Sequence, residues 1–461
     1  MSLKFIVKSY RTLTFTIWIV STALALVLVI IALLYLNFPD KDQSFFQDVI
    51  AKLFLYPPFW ILVSIPYLLS RLIKFWIQSY KRGGWSLLSK RLRYSLVIPL
   101  ALIGTFFFTS KQIQRSEQFD FQWDEDVYNT TGIVAERLKE DKKIRGVHVF
   151  GSIDSVSLPK MIRANISSIT LVPYAYQDDI DDPNLRYHFS KEQEEYYEAI
   201  WSSCQERNMS LILKPHIWIA NPSDGKWRSD IEMHSEYEWH HWEERYTNFI
   251  LNYARLSEQL DLPYFCIGTE LHLSTTRRPF FWVELIKKVR EVYAGKLVYG
   301  ANWDREFSAI TFWDQLDFIG IQAYFPLVDS DAPQLKQLIS GWKKHLPALG
   351  KFSLQHRKKV LFTELGYKST PDAGRLPWEW ESVSGDLFRP VSLKTQVHCY
   401  RAFFDQVWPN DWFAGALIWN WESDEMYNHT FSIQSKPAYN EVAKGFYSAP
   451  ETTGLDVNKL K

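Results

Sequence analysis

The segment YFCIGTE, residues 264–270, is an apolar run of strand length that ends directly in a carboxylate. The segment KVLFTE, residues 359–364, has the same arrangement and ends at Glu364. Continuous apolar runs of this length are typical of strands buried on both faces of a parallel sheet. A carboxylate at the end of such a strand is costly unless it is paired or used in chemistry. The two segments therefore predict a parallel fold with acidic groups at the carboxyl ends of its strands.

Six further runs of the same kind accompany these two. The eight runs centre on residues 146–150, 168–173, 210–216, 264–269, 296–301, 317–323, 359–364 and 413–419. Amphipathic stretches lie between them, most clearly at 192–207, 243–260, 281–293 and 393–407. Eight alternating strand and helix units predict an α/β fold, a (β/α)₈ TIM barrel. A doubly wound sheet is the alternative, but no Gly-rich phosphate loop follows the first run.

The charge of the chain is unevenly distributed, although its net value is zero. Residues 1–110 carry a net charge of +9 and residues 111–461 a net charge of −9. An acidic globular part argues against a nucleic-acid partner. The three cysteines, Cys204, Cys266 and Cys399, fit neither a disulfide framework nor a zinc motif, and we expect no metal and no cofactor.

The N-terminal part of the chain is predicted to be a membrane anchor. About three transmembrane helices are expected, at residues 13–38, 53–73 and 94–110, because each range contains a long run without charge. Seven basic residues lie between 71 and 93, which predicts that this loop is cytoplasmic and that everything after Ser110 is outside. A buried helix is the alternative for each range, and a cleaved signal peptide is the alternative for the first.

These patterns divide the chain into four parts. Residues 1–110 form the multi-pass anchor in the cell membrane, and residues 111–143 are a linker with a leading helix. Residues 144–448 form the barrel on the non-cytoplasmic side. Residues 449–461 are a polar tail.

Polar and aromatic residues follow the predicted strands at the end where barrels hold their functional groups. Glu270 and Glu364 end the fourth and seventh strands. Two such carboxylates are what glycoside hydrolysis requires, one as acid and one as nucleophile. The other candidates at strand ends are aromatic or hydrogen-bonding groups suited to sugars: His216, Asn302, Trp303, Gln322, Tyr324 and Trp419.

Five segments together resemble glycoside hydrolase family 113. They are GTE at 268–270, FTELGY at 362–367, LVPYAYQ at 171–177, LKPHIWI at 213–219 and IWNW at 418–421. The resemblance covers residues 144 to 446 and implies a retaining (β/α)₈ hydrolase that acts on β-1,4-mannan. It departs from the wider clan at Thr269, where many members have Asn next to the sugar 2-hydroxyl.

The resemblance also implies roles for individual residues. Glu270 is similar to the acid/base of the family, and Glu364 to its nucleophile. Tyr324 resembles the tyrosine that hydrogen-bonds the nucleophile, and Trp419 the platform beneath the reacting sugar. His216 and Asn302 resemble contacts to sugar hydroxyls.

Three alternatives to a hydrolase remain from the sequence. The first is a catalytically silent carbohydrate-binding or envelope scaffold protein on the same fold, and the second is a transglycosylase. The third is a membrane glycosyltransferase or transporter, against which the absence of an intramembrane acid–base pair argues. The partners expected are a β-linked polysaccharide or oligosaccharide and the lipid bilayer.

Overall fold

The computed structural model describes residues 57–113, 119–140, 143–151, 153, 157–380, 389–422 and 430–447. The chain separates into two compact units, residues 1–109 and 110–461. The predicted span at 13–38, the start of the span at 53–73 and the tail at 449–461 lie outside the described residues.

The N-terminal unit is helical throughout its described part. Helix α1 covers Pro57–Leu92 and is followed by a π-helical turn at Arg93–Val97. Helix α2 covers Ile98–Ile113. Gly83 and Gly84 interrupt α1 with non-helical backbone, and Gly84 has a positive φ of 58° that glycine adopts without steric cost.

The chain reverses direction at these two glycines. Trp76 donates a hydrogen bond from Nε1 to Ser95 Oγ at 2.8 Å, and Arg91 donates to Ser79 Oγ at 3.1 Å. In one straight helix, residues 19 apart would lie about 28 Å from each other. The two halves of this segment therefore form a helical hairpin.

The hairpin differs from the predicted anchor in two ways. The loop expected at 71–93 is mostly helix, because this stretch has no proline and only Gly83 and Gly84 break its helical pattern. Among the described residues, one helical stretch, Arg71–Ile113, is long and apolar enough to cross a membrane, judged by length and composition. Three separate spans therefore stay a prediction.

The second unit contains a closed barrel of eight parallel strands. The ladder runs in the order β1 (Ile144–Phe150), β10 (Phe413–Glu422), β9 (Val360–Leu365), β8 (Ile319–Gln322), β7 (Lys296–Asn302), β6 (Tyr264–Thr269), β4 (Ser210–Leu213) and β2 (Ser168–Leu171). All eight predicted strands are confirmed. The barrel prediction is likewise confirmed, because each strand pairs in parallel with both neighbours.

Helices connect the strands and cover the outside of the barrel. In chain order they are α3 (Glu136–Glu140), α4 (Ser157–Arg163), α5 (Lys191–Gln205), α6 (Glu236–Gln259), α7 (His272–Arg277), α8 (Pro279–Val292), α9 (Glu306–Ala309), α10 (Leu335–His356), α11 (Leu393–Gln406) and α12 (Pro437–Tyr447). The short α3 lies in the predicted linker region.

Two strands continue beyond the rim of the barrel as a separate parallel pair. β3 (Tyr174–Gln177) prolongs β2, and β5 (His216–Ile219) prolongs β4. Pro173 and Pro215 stand at the two interruptions and have no backbone N–H to donate to the ladder. The ladder resumes after them, since His216 N donates to Pro173 O at 2.9 Å. The pair therefore carries side chains outward from the mouth of the barrel.

The barrel interior changes character along its axis. A small apolar cluster fills one part of it and contains Ile144, Ile212, Cys266, Val298, Leu361, Ala414 and Leu417. Toward the carboxyl ends of the strands, His148, Lys214, Gln322 and Glu364 are buried instead. Buried polar groups of this kind must find partners among themselves, and they form the floor of a cavity.

Gly415 is expected to be essential for closing the barrel between β10 and β1. Its φ is +137°, and a Cβ there would overlap the backbone of Ile144 on the neighbouring strand. Neither backbone can shift without disrupting the ladder. We expect Gly415→Ala to cost about 3 kcal/mol of stability, measured as a lower Tm of the full-length protein.

Gly132→Ala is the matched control for this substitution. Gly132 also has a positive φ, +72°, but nothing lies within 4 Å of the added Cβ. Backbone strain alone should cost about 1 kcal/mol. A decrease in Tm no larger for Gly415→Ala than for this control would contradict the close approach of the two strands.

Candidate active site

A cavity of about 690 Å³ opens at the carboxyl end of the barrel. The residues that line it come from loops after six different strands and from the strand ends themselves. They are Gly225, Lys226, Trp227, Arg228, Glu270, Asn302, Trp303, Asp304, Tyr324, Glu364, Trp378, Trp380, Trp419 and Phe431. Both glutamates singled out from the sequence are therefore exposed to the same cavity.

Glu364 is held from two sides near the end of β9. Its Oε2 accepts a hydrogen bond from the hydroxyl of Tyr324 at 2.8 Å. Its Oε1 forms an ion pair with Lys214 Nζ. Burial, followed by the negative charge of Glu364, raises the pKa of Tyr324 well above its ordinary value. The tyrosine therefore stays protonated and donates, so both carboxylate oxygens have fixed partners.

Lys214 follows β4 and is fully buried. Besides Glu364, its ammonium donates to Gln322 Oε1 at 3.3 Å and lies 3.4 Å from His148 Nε2. Burial lowers the pKa of His148 well below its ordinary value, and the charge of Lys214 lowers it further. The imidazole is therefore neutral and can accept a hydrogen bond from the ammonium.

Glu270 follows β6 directly, and its φ of 53° turns its side chain away from the strand direction. Its Oε2 lies 3.5 Å from Arg228 Nε, and its Oε1 lies 3.5 Å from Asn302 Nδ2. Burial raises the pKa of this carboxyl, the guanidinium of Arg228 opposes that shift, and the charge of Glu364 adds to it. Glu270 is thus biased toward the protonated form, which suits a proton donor.

His216 connects the surroundings of the two glutamates. Arg228 Nη1 lies 2.8 Å from His216 Nδ1, and because a guanidinium only donates, Nδ1 is the acceptor. Burial, then the charges of Lys214 and Arg228, hold the pKa of His216 well below its ordinary value. The ring is therefore neutral with its proton on Nε2, which lies 3.9 Å from Glu364 Oε1.

A third carboxylate supports the end of β7, where Asn302 lies. Glu306 accepts from the backbone N–H of Asn302 at 2.8 Å, from the Tyr299 hydroxyl at 2.6 Å and from Thr275 Oγ1 at 3.1 Å. Burial raises the pKa of Glu306 to about 7. These contacts fix the backbone at the end of β7, so Asn302 faces Glu270 from a rigid position.

Aromatic rings form the walls of the cavity. Trp419 ends the predicted eighth strand and packs against Tyr324 and Phe431. The Trp380 ring meets Trp419 edge-on at 6.0 Å, and Trp378 stacks on Trp303 at 5.4 Å with 28° between the planes. Flat apolar walls beside buried carboxylates suit a pyranose ring, which has apolar faces and a hydroxyl perimeter.

The structure separates the residues predicted from the sequence into two groups. Glu270, Glu364, Tyr324, Asn302, Trp303 and Trp419 line the cavity. His216 and Gln322 lie beneath its surface, 2% and 0% exposed. They point into the barrel interior, where Gln322 accepts from Lys214 and from Thr363 Oγ1 at 2.9 Å. Both residues therefore contact other side chains and do not line the cavity.

Several site residues were missed by the sequence reasoning. Lys214 could have been found, because it is a charge directly after an apolar strand, the same signal that identified Glu270. Trp227, Arg228, Trp378, Trp380 and Phe431 come from loops whose course the sequence does not reveal. These residues do not follow a strand directly, so the expectation that functional groups stand at strand ends could not identify them.

The fold of this chain is similar to solved structures of known proteins. A β-mannanase of glycoside hydrolase family 113 from Alicyclobacillus acidocaldarius, solved with ManMIm, has a TM-score of 0.56 at 25% sequence identity, covering 66% of this chain and 97% of that one. A second β-1,4-mannanase of that family has a TM-score of 0.57 at 22% identity, covering 67% and 100%. A family 5 mannosidase from Rhizomucor miehei shares the fold at a TM-score of 0.50 and 11% identity, covering 66% and 92%.

The comparison with curated proteins gave no match. The sequence profile of Glycoside Hydrolase Family 113, in contrast, matches residues 151–442, which is more than half of the chain and contains both glutamates. The protein is therefore a glycosidase, and the chain belongs to glycoside hydrolase family 113.

Proposed function

We propose that the protein is a retaining β-glycosidase that cleaves β-1,4-mannan by double displacement, with Glu364 as nucleophile and Glu270 as acid/base. One observation carries the proposal. Two glutamates open into one aromatic cavity, yet their environments differ: Glu364 is ion-paired to a buried lysine, whereas burial raises the pKa of Glu270. Different environments for two carboxylates are how glycosidases assign the two roles.

In the first step, a carboxylate oxygen of Glu364 attacks the anomeric carbon while Glu270 protonates the departing glycosidic oxygen. The C–O bond to the leaving sugar breaks as the bond to Glu364 forms. Tyr324 and Lys214 orient the attacking carboxylate through a hydrogen bond and an ion pair. Positioning of this kind lowers the barrier because the reacting groups need not be ordered during the reaction.

In the second step, Glu270 is a carboxylate and removes a proton from water. That water attacks the anomeric carbon and displaces Glu364, so the product keeps the original configuration. Arg228, 3.5 Å from Glu270, stabilises the carboxylate in this half of the cycle. Burial favours the acid and Arg228 favours the base, which allows one residue to serve both steps.

Mannan is proposed as substrate because two of the similar structures are named β-mannanases. The Trp419 ring, next to Tyr324 and Phe431, is proposed as the platform beneath the sugar at the cleavage site. Asn302 is proposed to contact a hydroxyl of the same sugar, since it shares the cavity with Glu270.

Glu364→Ala is expected to abolish turnover of an aryl β-mannoside by the full-length protein. Azide should restore part of the activity, because the small anion can occupy the space of the missing carboxylate and attack the anomeric carbon. The product should be a glycosyl azide of inverted configuration, which NMR identifies. Glu244→Ala, which removes an exposed glutamate of α6, is the control. Its activity should equal that of the wild type and should not change when azide is added. Rescue that yields only the retained anomer would refute the role of Glu364.

Arg228→Met is expected to move the alkaline limb of the kcat/KM profile to higher pH. The acid form of Glu270 is needed for the first step, so activity falls as pH rises through its pKa. Arg228 lowers that pKa. Removing the positive charge therefore raises it and extends activity upward. Arg255→Met, on the exposed face of α6, is the control and should leave the limb in place. A limb that stays in place in Arg228→Met would mean that a group other than Glu270 limits the reaction.

The N-terminal unit is proposed to be a three-span membrane anchor with the barrel outside. The support is the exposure of large apolar side chains on every side of the segment 94–108, such as Tyr94 at 63%, Leu102 at 65% and Phe108 at 65%. A helix that is apolar all round is stable only inside a protein or a membrane. The basic residues lie around the Gly83–Gly84 turn, which favours a cytoplasmic position for that turn.

Alkaline phosphatase fusions test this topology, because the enzyme is active only outside the cytoplasm. A fusion after Lys461 should be active, whereas a fusion after Arg82, at the hairpin turn, should be inactive. Equal protein levels on a blot serve as the control. Activity confined to the Arg82 fusion would overturn the proposed orientation.

A further inference from the structure

The parallel pair β3–β5 has one packed face and one face open to solvent. On the packed face, Ile217 and Ile219 are 2% exposed, and Gln177 Oε1 accepts a hydrogen bond from Trp242 Nε1 of α6 at 2.9 Å. Side chains alternate between the two faces of a strand. The other face therefore carries Tyr174 and Tyr176 from β3, and His216 and Trp218 from β5, with His216 buried at its inner end and Tyr176 and Trp218 exposed at its outer end.

This open face begins at the site itself. His216 lies 3.9 Å from Glu364, and the Tyr174 ring meets His216 edge-on at 5.9 Å. Burial raises the pKa of Tyr174 to about 12. The positive charge of Arg228 lowers this pKa, and the negative charge of Glu364 raises it. Tyr174 thus stands between the reacting groups and the outer part of the strand pair.

From Tyr174 the rings continue outward. Trp218 meets Tyr174 at 6.2 Å and Trp227 at 5.7 Å, both nearly perpendicular, and Tyr176 lies 6.3 Å from Tyr174. Trp227 lines the cavity. Trp218 is two residues beyond His216, or about 7 Å further along the strand. The row of rings is therefore continuous with the cavity wall and leads away from it.

The two outermost rings are exposed well beyond what packing requires. Tyr176 is 48% exposed and Trp218 is 40% exposed, although the backbone beneath them is anchored to α6 through Gln177. Clustered exposed aromatics beside a cleft mark binding surfaces rather than core. A rigid ring with one free face suits a sugar, because few rotamers are lost when the pyranose stacks on it.

We infer that Trp218 and Tyr176 form an outer glycan-binding surface for sugar residues beyond the cleavage site. The inference rests on the proposed function, since the occupant is the remainder of the β-1,4-linked chain whose scissile bond lies between Glu270 and Glu364. The surface favours polymers over short oligosaccharides. It makes the enzyme suited to cleavage within a chain.

The test uses the full-length protein in detergent and two variants, Trp218→Ala and Tyr176→Ala. For each, kcat/KM is measured on an aryl β-mannoside and on β-1,4-manno-oligosaccharides of two to six residues. We expect the loss relative to wild type to grow with substrate length, to about fivefold to tenfold per ring on the longest. Tyr196→Ala is the matched control, because Tyr196 on α5 is equally exposed, at 47%, but lies outside the strand pair.

A binding measurement separates this inference from the proposed chemistry. Calorimetry of Glu364→Ala with mannohexaose and cellohexaose measures affinity without turnover. Adding Trp218→Ala to this variant should weaken hexasaccharide binding by a factor similar to the loss in kcat/KM. A wild type that binds hexasaccharides through Trp218 and yet cleaves no β-mannoside would overturn the hydrolytic proposal but support the outer glycan-binding surface. Equal losses on short and long substrates, or binding of both hexasaccharides unaffected by Trp218→Ala, would overturn the surface.

Discussion

The ion pair between Lys214 and Glu364 lies where the barrel interior changes from apolar to polar. Removing two charges from water is expensive, and their attraction offsets the expense only when the remaining hydrogen-bonding capacity is also used. Here Gln322 and His148 accept hydrogen bonds from the ammonium, while Tyr324 donates one to the second carboxylate oxygen. Loss of one partner of such a pair typically costs about 3–5 kcal/mol. The floor of the cavity is therefore one mutually dependent cluster of five residues that stand in, or directly after, four strands of the barrel.

That cluster also gives the two glutamates different surroundings. The ammonium of Lys214 contacts Glu364 directly, whereas Glu270 meets a guanidinium at 3.5 Å that is shared with His216. Both histidines are held neutral by burial next to these cations. A neutral His216 can accept from Arg228 and so keeps the guanidinium between itself and Glu270. Arg228 lines the cavity, whereas Lys214, His148 and His216 lie beneath its surface, so the charge around each carboxylate depends partly on residues that a bound substrate would not contact.

The sequence was informative wherever a residue's role depends on its place along a strand. Apolar runs with a polar terminus identified all eight barrel strands and brought Glu270, Glu364, Tyr324 and Trp419 to one rim, because parallel strands of a barrel share a carboxyl end. Arg228 and Trp227 could not be found in this way, because a loop after β5 carries them into the cavity. The hairpin at Gly83–Gly84 was missed for a related reason: a loop was expected from charge, whereas two glycines suffice for the turn.

Buried ion pairs can nevertheless hold a loop in as fixed a position as a strand. The segment with Trp378 and Trp380 leaves the barrel after β9, and Glu379 between them contacts Lys368, whose side chain is fully buried. Arg389 forms ion pairs with Glu379 and with Asp372. Two tryptophans on one face of an anchored segment can then meet Trp303 and Trp419 at fixed distances. The strand ends hold Glu270 and Glu364, and these ion pairs fix the rings that shape the space above them, so the proposed reacting groups and the walls of the cavity depend on different parts of the fold.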